Sequence, residues 1–106
     1  MFPNLGHYLP ELHRVRGEAL AALGPVNSEA ARGALRRALE LARGQGARLF
    51  ELRATVSLLR RGAEDDRAST LAALKALYAG FTEGFDCPDL VEARQLLGVA
   101  ADGAAR

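Results

Sequence analysis

Apolar residues recur at every third or fourth position through most of the chain, which is the spacing of one face of an amphipathic α-helix. The first stripe ends at Gly24 and Pro25, a pair that stops helices. It consists of Leu9, Leu12, Val15, Ala19, Leu20 and Leu23. We therefore predict a first helix that buries these six residues in the core.

Four further stripes predict four further helices. The second helix is predicted for residues 28–44, the third ends at Gly62, the fourth begins at Asp65 or Asp66, and the fifth begins at Pro88. The apolar positions of the second helix are Ala31, Ala34, Leu35, Ala38, Leu41 and Ala42, and those of the third are Leu49, Phe50, Leu52, Val56 and Leu59. The apolar positions of the fourth helix are Leu71, Leu74, Leu77, Tyr78 and Phe81, and those of the fifth are Leu90, Ala93 and Leu97.

Short connections between these helices predict antiparallel hairpins, because they leave no room for a crossover. The expected fold class is all-α, with about five helices stacked as a short array. One domain is expected over residues 1–106, with its core over 9–98, a helix end before Gly98 and a frayed tail over 100–106. Glu11-Leu12-His13-Arg14 recurs forty residues later as Glu51-Leu52-Arg53-Ala54, which suits paired-helix repeats.

Composition narrows the function classes. The formal net charge of +1 gives no field that attracts nucleic acid or an anionic membrane. The single cysteine cannot form an internal disulfide, and neither a signal peptide nor a membrane span is expected. We expect a cytoplasmic protein with no nucleic-acid and no membrane partner.

The first hairpin resembles a tetratricopeptide repeat. Gly17 and Gly24 are seven residues apart, and Ala31, Leu35 and Ala38 follow the small, large, small spacing of the second helix of that repeat. The loop between the two helices is about two residues longer than in the repeat family. The resemblance implies that the two helices approach each other closely at the small residues.

Residues 47–54, Ala-Arg-Leu-Phe-Glu-Leu-Arg-Ala, and 81–90, Phe-Thr-Glu-Gly-Phe-Asp-Cys-Pro-Asp-Leu, resemble the C-terminal helical repeats of large bacterial signalling proteins. In that family the repeats follow a predicted P-loop ATPase module and a nucleotide cyclase or DNA-binding head. The match spans roughly residues 9–97 and includes no cyclase or ATPase residue. The chain departs from the family at Phe50 and Gly80, where Trp is usual, and at Cys87, where Thr is usual.

In tetratricopeptide arrays, the first helix of each hairpin lines a concave groove that holds a partner peptide. On that resemblance, and with the third-helix positions taken opposite the Leu49 and Val56 stripe, the groove residues are Glu11, Arg14, Glu18, Ala22, Arg53, Ser57 and Arg60. Arg14, Arg53 and Arg60 could clamp a carboxylate of the partner. A merely solvated polar surface is the alternative interpretation.

Two and a half repeats are fewer than such arrays usually need to bury their end faces. A homodimer is therefore also expected. The residues predicted for its interface are Phe81, Phe85, Leu90 and Leu97.

The remaining reactive side chains favour structural roles. Cys87 has no second thiol, and Asp86 and Asp89 beside it oppose a thiolate. His7 and His13 are six residues apart and fall on different faces of a helix, so no metal site is expected. The acidic residues Glu64, Asp65 and Asp66 precede a helix and are predicted to cap it.

No catalytic constellation, cofactor site or site for a small-molecule substrate emerges from the sequence. We predict a non-enzymatic protein–protein interaction module of tetratricopeptide type, in bacterial signalling or transcriptional regulation, whose partner is a protein or peptide. The alternatives are a self-associating helical scaffold and a fragment of a larger ATPase, cyclase or DNA-binding regulator.

Overall fold

A computed structural model describes residues 5–62 and 64–105, with side chains for 6–62 and 65–98. Every regular element in that part of the chain is helical, so the predicted all-α class is confirmed. The α-helices are α1 (Leu9–Ala22), α2 (Ser28–Gln45), α3 (Arg48–Arg61), α4 (Arg67–Ala79) and α5 (Pro88–Ala105). Short 3-10 segments at Leu5–Tyr8, Pro25–Asn27 and Glu64–Asp66 precede α1, α2 and α4.

The helix ends lie close to the predicted positions, with two exceptions. The second helix ends at Gln45, and Gly46 after it adopts the left-handed conformation with φ of 67°, while α5 begins at Pro88 as predicted. The fourth helix, predicted to include Phe81 and to end near Gly84, ends at Ala79. The predicted end before Gly98 is wrong, because α5 continues to Ala105. A glycine inside a helix costs only about 1 kcal/mol and does not break it. The frayed tail expected over 100–106 stays a prediction. The side chains of this segment are not described, and Arg106 lies outside the described residues altogether.

The five helices form two layers. Each helix packs against the next one in the chain, and in addition α1 packs against α3 and α3 packs against α5. Helices α1, α3 and α5 therefore form one layer, and α2 and α4 lie on the other side. This arrangement places the first helix of each successive hairpin on the same surface.

The first hairpin is held together by small residues. Gly17 of α1 is buried, and a Cβ there would lie only 2.7 Å from Cγ of Leu35. Ala31, Leu35 and Ala38 on α2 are fully buried. Helices approach this closely only where one of them lacks a side chain at the crossing point. The spacing that resembles a tetratricopeptide repeat thus coincides with the close contact between α1 and α2.

The second half of the array has a larger apolar core. Its buried residues are Leu52, Val56 and Leu59 of α3, Leu74 of α4, and Leu90 and Ala93 of α5. Leu49, Leu71, Leu77, Tyr78, Phe81 and Leu97 pack around them. Burial of large aliphatic side chains contributes roughly 1.5–3 kcal/mol each. Apart from Phe50, whose ring lies beside those of His7 and Tyr8, the predicted stripes of the third, fourth and fifth helices face this core.

The stripe predicted to bury α1 is mostly on the surface, and that prediction is wrong. Leu12 is 61% exposed, Val15 is 55% exposed and Leu23 is 74% exposed. Leu9 and Ala19 are exposed as well, and Leu20 alone of the six is half-buried. The helix instead turns Gly17 and Pro10 towards the rest of the protein. The physical reason is position, since α1 is the first helix of the array and has neighbours on one side only.

Candidate interaction groove

A narrow cleft runs along the surface where α1, α3 and α5 lie side by side. Its lining includes five of the seven residues predicted for a partner groove, and Glu11 joins it through ion pairs with Arg14 and Arg53. The lining residues are Arg14, Glu18, Leu52, Arg53, Val56, Ser57, Arg60, Asp89 and Glu92. The structure thus brings the predicted residues together, while their role in binding stays a prediction. Ala22, the additional groove position on α1, is exposed and does not line this cleft.

Arg53 connects three helices in this cleft. Its Nη1 lies 3.4 Å from Oε2 of Glu11 on α1, and its Nη2 lies 3.0 Å from Oδ2 of Asp89 on α5. Its Nε also donates to that Asp89 oxygen at 3.1 Å. The guanidinium carbon lies 5.8 Å from the ring centre of Phe50, within cation–π distance. Arg53 therefore bridges the first and the last helix of the layer.

Glu18 forms a second connection between α1 and α3. Its carboxylate accepts a hydrogen bond from Ser57 Oγ at 3.0 Å and one from Arg61 Nε at 2.8 Å. Ser57 is 2% exposed, so its hydroxyl depends on a protein partner. A buried hydroxyl satisfied by a carboxylate from another helix fixes the relative position of the two helices.

Two further ion pairs complete the network. Glu11 binds Arg14 through two parallel hydrogen bonds of 2.9 and 3.0 Å, and Arg60 Nη2 lies 2.5 Å from Oε2 of Glu92. The hydrogen bonds that Arg14 donates to the Glu11 carboxylate raise the pKa of Arg14 above its ordinary value, against an opposing effect of burial. The negative charges of Glu11, Glu18 and Asp89 raise it further.

The charges of the cleft balance one another. Arg14, Arg53, Arg60 and Arg61 face the acids Glu11, Glu18, Asp89 and Glu92. An incoming carboxylate therefore has to displace an acid of the chain itself before an arginine can clamp it, and the net electrostatic gain is small. A segment that carries both signs of charge can satisfy the displaced acid as well as the arginine. The cleft encloses about 50 Å³, far below the roughly 300 Å³ at which small-molecule pockets begin.

Sequence reasoning missed three members of this network, namely Arg61, Asp89 and Glu92. Asp89 and Glu92 are three residues apart and share one face of α5. That spacing is visible in the sequence. The spacing alone does not show that α5 lies beside α3, and that packing is what makes these acids part of the groove.

The residues predicted for self-association have different environments. Leu90 is 2% exposed and belongs to the chain's own core, so its place in a dimer interface is a wrong prediction. Phe81 and Leu97 are half-buried against the same core. Phe85 is 40% exposed, and its ring lies 5.7 Å from that of Tyr78. Fifth-helix side chains that look like an interface in sequence are turned inwards because α3 and α4 already cover them.

The other candidate side chains have local partners. Cys87 is half-buried and packs against the core, and the ring of His7 lies 5.9 Å from that of Phe50. Asp66 is the N-cap residue of α4, but its side chain makes no capping bond and instead accepts a hydrogen bond from Arg36 at 3.1 Å. The predicted capping role of that carboxylate is therefore wrong. His13 lies half-buried on α1.

Among the side chains described, those of residues 6–62 and 65–98, no three His, Cys, Asp or Glu are placed to hold a metal ion. In the same part of the chain, no helix combines the length and the apolar character needed to cross a bilayer. Comparison with family models, with curated proteins and with solved structures finds no significant match.

Proposed function

We propose that this protein is a non-enzymatic protein–protein interaction module of tetratricopeptide type. Its binding surface is the groove of α1, α3 and α5, and its partner is a protein segment held in extended or helical form. The resemblance of residues 47–54 and 81–90 to bacterial signalling proteins suggests the setting, which is signalling or transcriptional regulation in the bacterial cytoplasm.

One observation carries this proposal. Three helices that alternate along the chain present their polar side chains to a single cleft, and the charged groups from all three converge there. Side chains from separate helices gathered on one concave surface are the arrangement by which helical repeat arrays bind partners. The close packing at Gly17 and Leu35 supports the same assignment, because it reproduces the small-to-large contact of the repeat.

The chemistry of the groove favours a peptide over a small molecule. The cleft is narrow, and its arginines and carboxylates neutralise one another. A peptide can exchange several of these ion pairs for its own along the length of the cleft. Affinity for such a partner then falls with added salt, since the pairs are partly exposed.

Self-association is the second candidate function. The exposure of Leu12, Val15 and Leu23 on α1 favours it, because contiguous apolar patches on a soluble protein commonly mark interaction sites. The two candidate functions use different surfaces and are compatible in one molecule.

The groove proposal is tested by selecting peptides from a random displayed library against the full chain and titrating them into isotope-labelled protein. We expect amide shift changes concentrated on α1, α3 and α5. In the Arg53→Ala variant, affinity falls by about tenfold or more, the equivalent of one lost charge-assisted hydrogen bond. The matched control is Arg37→Ala, which removes an exposed α2 arginine paired with Glu40.

Two results overturn the proposal. One is that the selected peptides shift amides of α2 and α4 while leaving the groove unchanged. The other is that Arg37→Ala and Arg53→Ala weaken binding equally although both variants keep the wild-type far-ultraviolet spectrum. Turnover of a small molecule by the pure protein would contradict the non-enzymatic assignment.

A further inference from the structure

The two acids that α1 contributes to the groove each have two partners among the described side chains. Glu11 pairs with two arginines, Arg14 and Arg53. Glu18 accepts one hydrogen bond from the buried Ser57 hydroxyl and a second from an arginine of α3. Displacing either acid breaks both of its contacts, and displacing Glu18 also leaves a buried hydroxyl without an acceptor. The acids of α1 are therefore firmly held in the array.

The two acids that α5 contributes are held more loosely. In the part of the chain whose side chains are described, Asp89 pairs with Arg53 and Glu92 pairs with Arg60, so each acid has one arginine. The side chains of Asp89 and Glu92 are 31% and 38% exposed, and each carboxylate can turn into water when its arginine is taken. These two acids are the ones that an incoming carboxylate replaces at the least cost in free energy.

Asp89 and Glu92 contact the arginines in the way that a bound acidic segment does. They are three residues apart in the sequence, so both project from one face of α5. Arg53 and Arg60 are seven residues apart on α3, which is two helical turns or about 10.5 Å along the axis, and they also share a face. Two carboxylates of one helix thus meet two guanidinium groups of another.

We propose that Asp89 and Glu92 are a built-in competitor for Arg53 and Arg60. The partner that overcomes this competitor is a protein segment with two acidic side chains three residues apart on a helix, the spacing of Asp89 and Glu92. This inference rests on the proposed function, because it takes the groove of α1, α3 and α5 as the binding surface. It adds the charge pattern of the partner and a contact within the chain that lowers the affinity.

The competition selects for paired acids. The acids of α5 are attached to the chain and are always present at the groove, so a segment with one acid competes at a single arginine and gains little. A segment with two acids replaces both ion pairs in one binding event, and its second contact forms within the complex. Partly exposed ion pairs are weak, so the competitor lowers the affinity by a moderate factor and does not close the groove.

The test is a comparison of the wild type with the variant Asp89→Asn/Glu92→Gln, which removes both charges and keeps the size of both side chains. The probe is an alanine-rich helical peptide, acetylated and amidated at its ends, that carries Asp and Glu three residues apart. It is titrated into the isotope-labelled full chain. The variant is expected to bind this peptide about tenfold more tightly than the wild type, because two ion pairs of the chain no longer compete with it.

Two controls separate this competition from a general effect of charge. Glu29→Gln/Glu40→Gln removes two exposed acids of α2 and changes the net charge by the same amount, and it is expected to bind the probe like the wild type. A second peptide, with Asn and Gln in place of its acids, is expected to bind the wild type and Asp89→Asn/Glu92→Gln equally. If that variant loses the wild-type far-ultraviolet spectrum, Glu92→Gln alone is used, with a smaller gain in affinity expected.

The inference is overturned if Asp89→Asn/Glu92→Gln binds the acidic peptide no more tightly than the wild type, or if Glu29→Gln/Glu40→Gln gains as much. It is also overturned if peptides selected from the library shift the amides of the groove and keep their affinity when their acids are replaced, a result that leaves the proposed function intact. Failure of the proposed function itself gives a different result, in which neither the probe nor the selected peptides shift the groove amides of any variant.

Discussion

Gly17 provides the most direct test of how the first hairpin packs. In a Gly17→Ala variant the new Cβ would lie 2.7 Å from Cγ and 2.8 Å from Cδ2 of Leu35, and 3.0 Å from the carbonyl oxygen of Ala31. Unstrained carbon atoms lie about 3.5–4.0 Å apart. Leu35 is 0% exposed and has no open space to move into. The two helices must therefore separate, or Leu35 must leave its preferred rotamer.

Two opposing effects set the magnitude. Overpacking of a core costs about 1–3 kcal/mol, whereas replacing glycine by alanine inside a helix gains about 1 kcal/mol. Gly17→Ala is therefore expected to lower the free energy of unfolding by up to about 2 kcal/mol. The matched control is Gly33→Ala on α2, an exposed position with no atom within 4 Å of the added Cβ. It keeps the gain and avoids the overpacking.

The assay is urea unfolding followed by circular dichroism. The difference between the two variants isolates the packing effect, expected at about 1–3 kcal/mol, because the helix-propensity gain is common to both. For a domain of this size, that difference corresponds to a gap of several degrees in Tm. The slope of the unfolding free energy with urea should stay constant, since neither variant changes the surface exposed on unfolding.

A double-mutant cycle identifies the clash. Leu35→Ala removes the Cγ and Cδ2 atoms that the new Cβ meets, so Gly17→Ala should cost much less in that background than in the wild type. The reasoning is refuted if Gly17→Ala stabilises the protein as much as Gly33→Ala does, or if its cost is unchanged when Leu35 is truncated.

Three further predictions concern the core and the groove. Leu52→Ala is expected to lower the free energy of unfolding by about 2–5 kcal/mol. Leu12→Ala is expected to change the unfolding free energy of the monomer by no more than about 0.5 kcal/mol. Equal losses for the two variants would contradict the exposure of Leu12 on α1. Glu18→Ala leaves the buried Ser57 hydroxyl without its acceptor and is expected to lower the free energy of unfolding by about 1–3 kcal/mol. Glu40→Ala removes one partner of an exposed ion pair and is expected to lower it by at most about 0.5 kcal/mol in the same urea assay. Because the pKa of Arg14 is raised, its pairing is fully present below the ordinary arginine pKa and is lost only as pH rises through the raised value. Arg14→Ala should therefore destabilise equally at neutral and mildly alkaline pH, and a loss that fades between them would contradict this.

The helices were predictable because their signals are local. Spacing of apolar residues identified all five, and Pro88 marked the start of the fifth through a backbone conformation that suits the first turn of a helix. The error on α1 has a physical cause. Periodicity shows which residues share a face but not whether another helix covers that face, and the true inner side of α1 is marked by Gly17, which carries no hydrophobic signal.

The groove was predictable in its positions but not in its pairing. Of the four residues predicted for the groove side of α1, Glu11, Arg14 and Glu18 lie there, because residues three and four apart share a helix face, and Ala22 does not. The forty-residue recurrence matched Leu12 with Leu52, which are 61% and 0% exposed, whereas the groove aligns Arg14 with Arg53. An offset of one residue turns a helix by about 100° and exchanges its faces. Which acid meets which arginine depends on the packing of α5, and no local pattern gives that.

The position of Arg53 has a consequence for how the array unfolds. In a repeat protein whose units contact only their immediate neighbours, stability is a sum of nearest-neighbour terms, and an end unit can open without effect on the far end. Here one guanidinium on the central helix binds Glu11 on the first helix and Asp89 on the last. When α5 opens, Arg53 loses a partner and its hold on α1 changes. Opening at one end therefore has a small effect on the other, and native-state hydrogen exchange should show slightly faster exchange in α1 when Asp89→Ala removes the contact of Arg53 with α5.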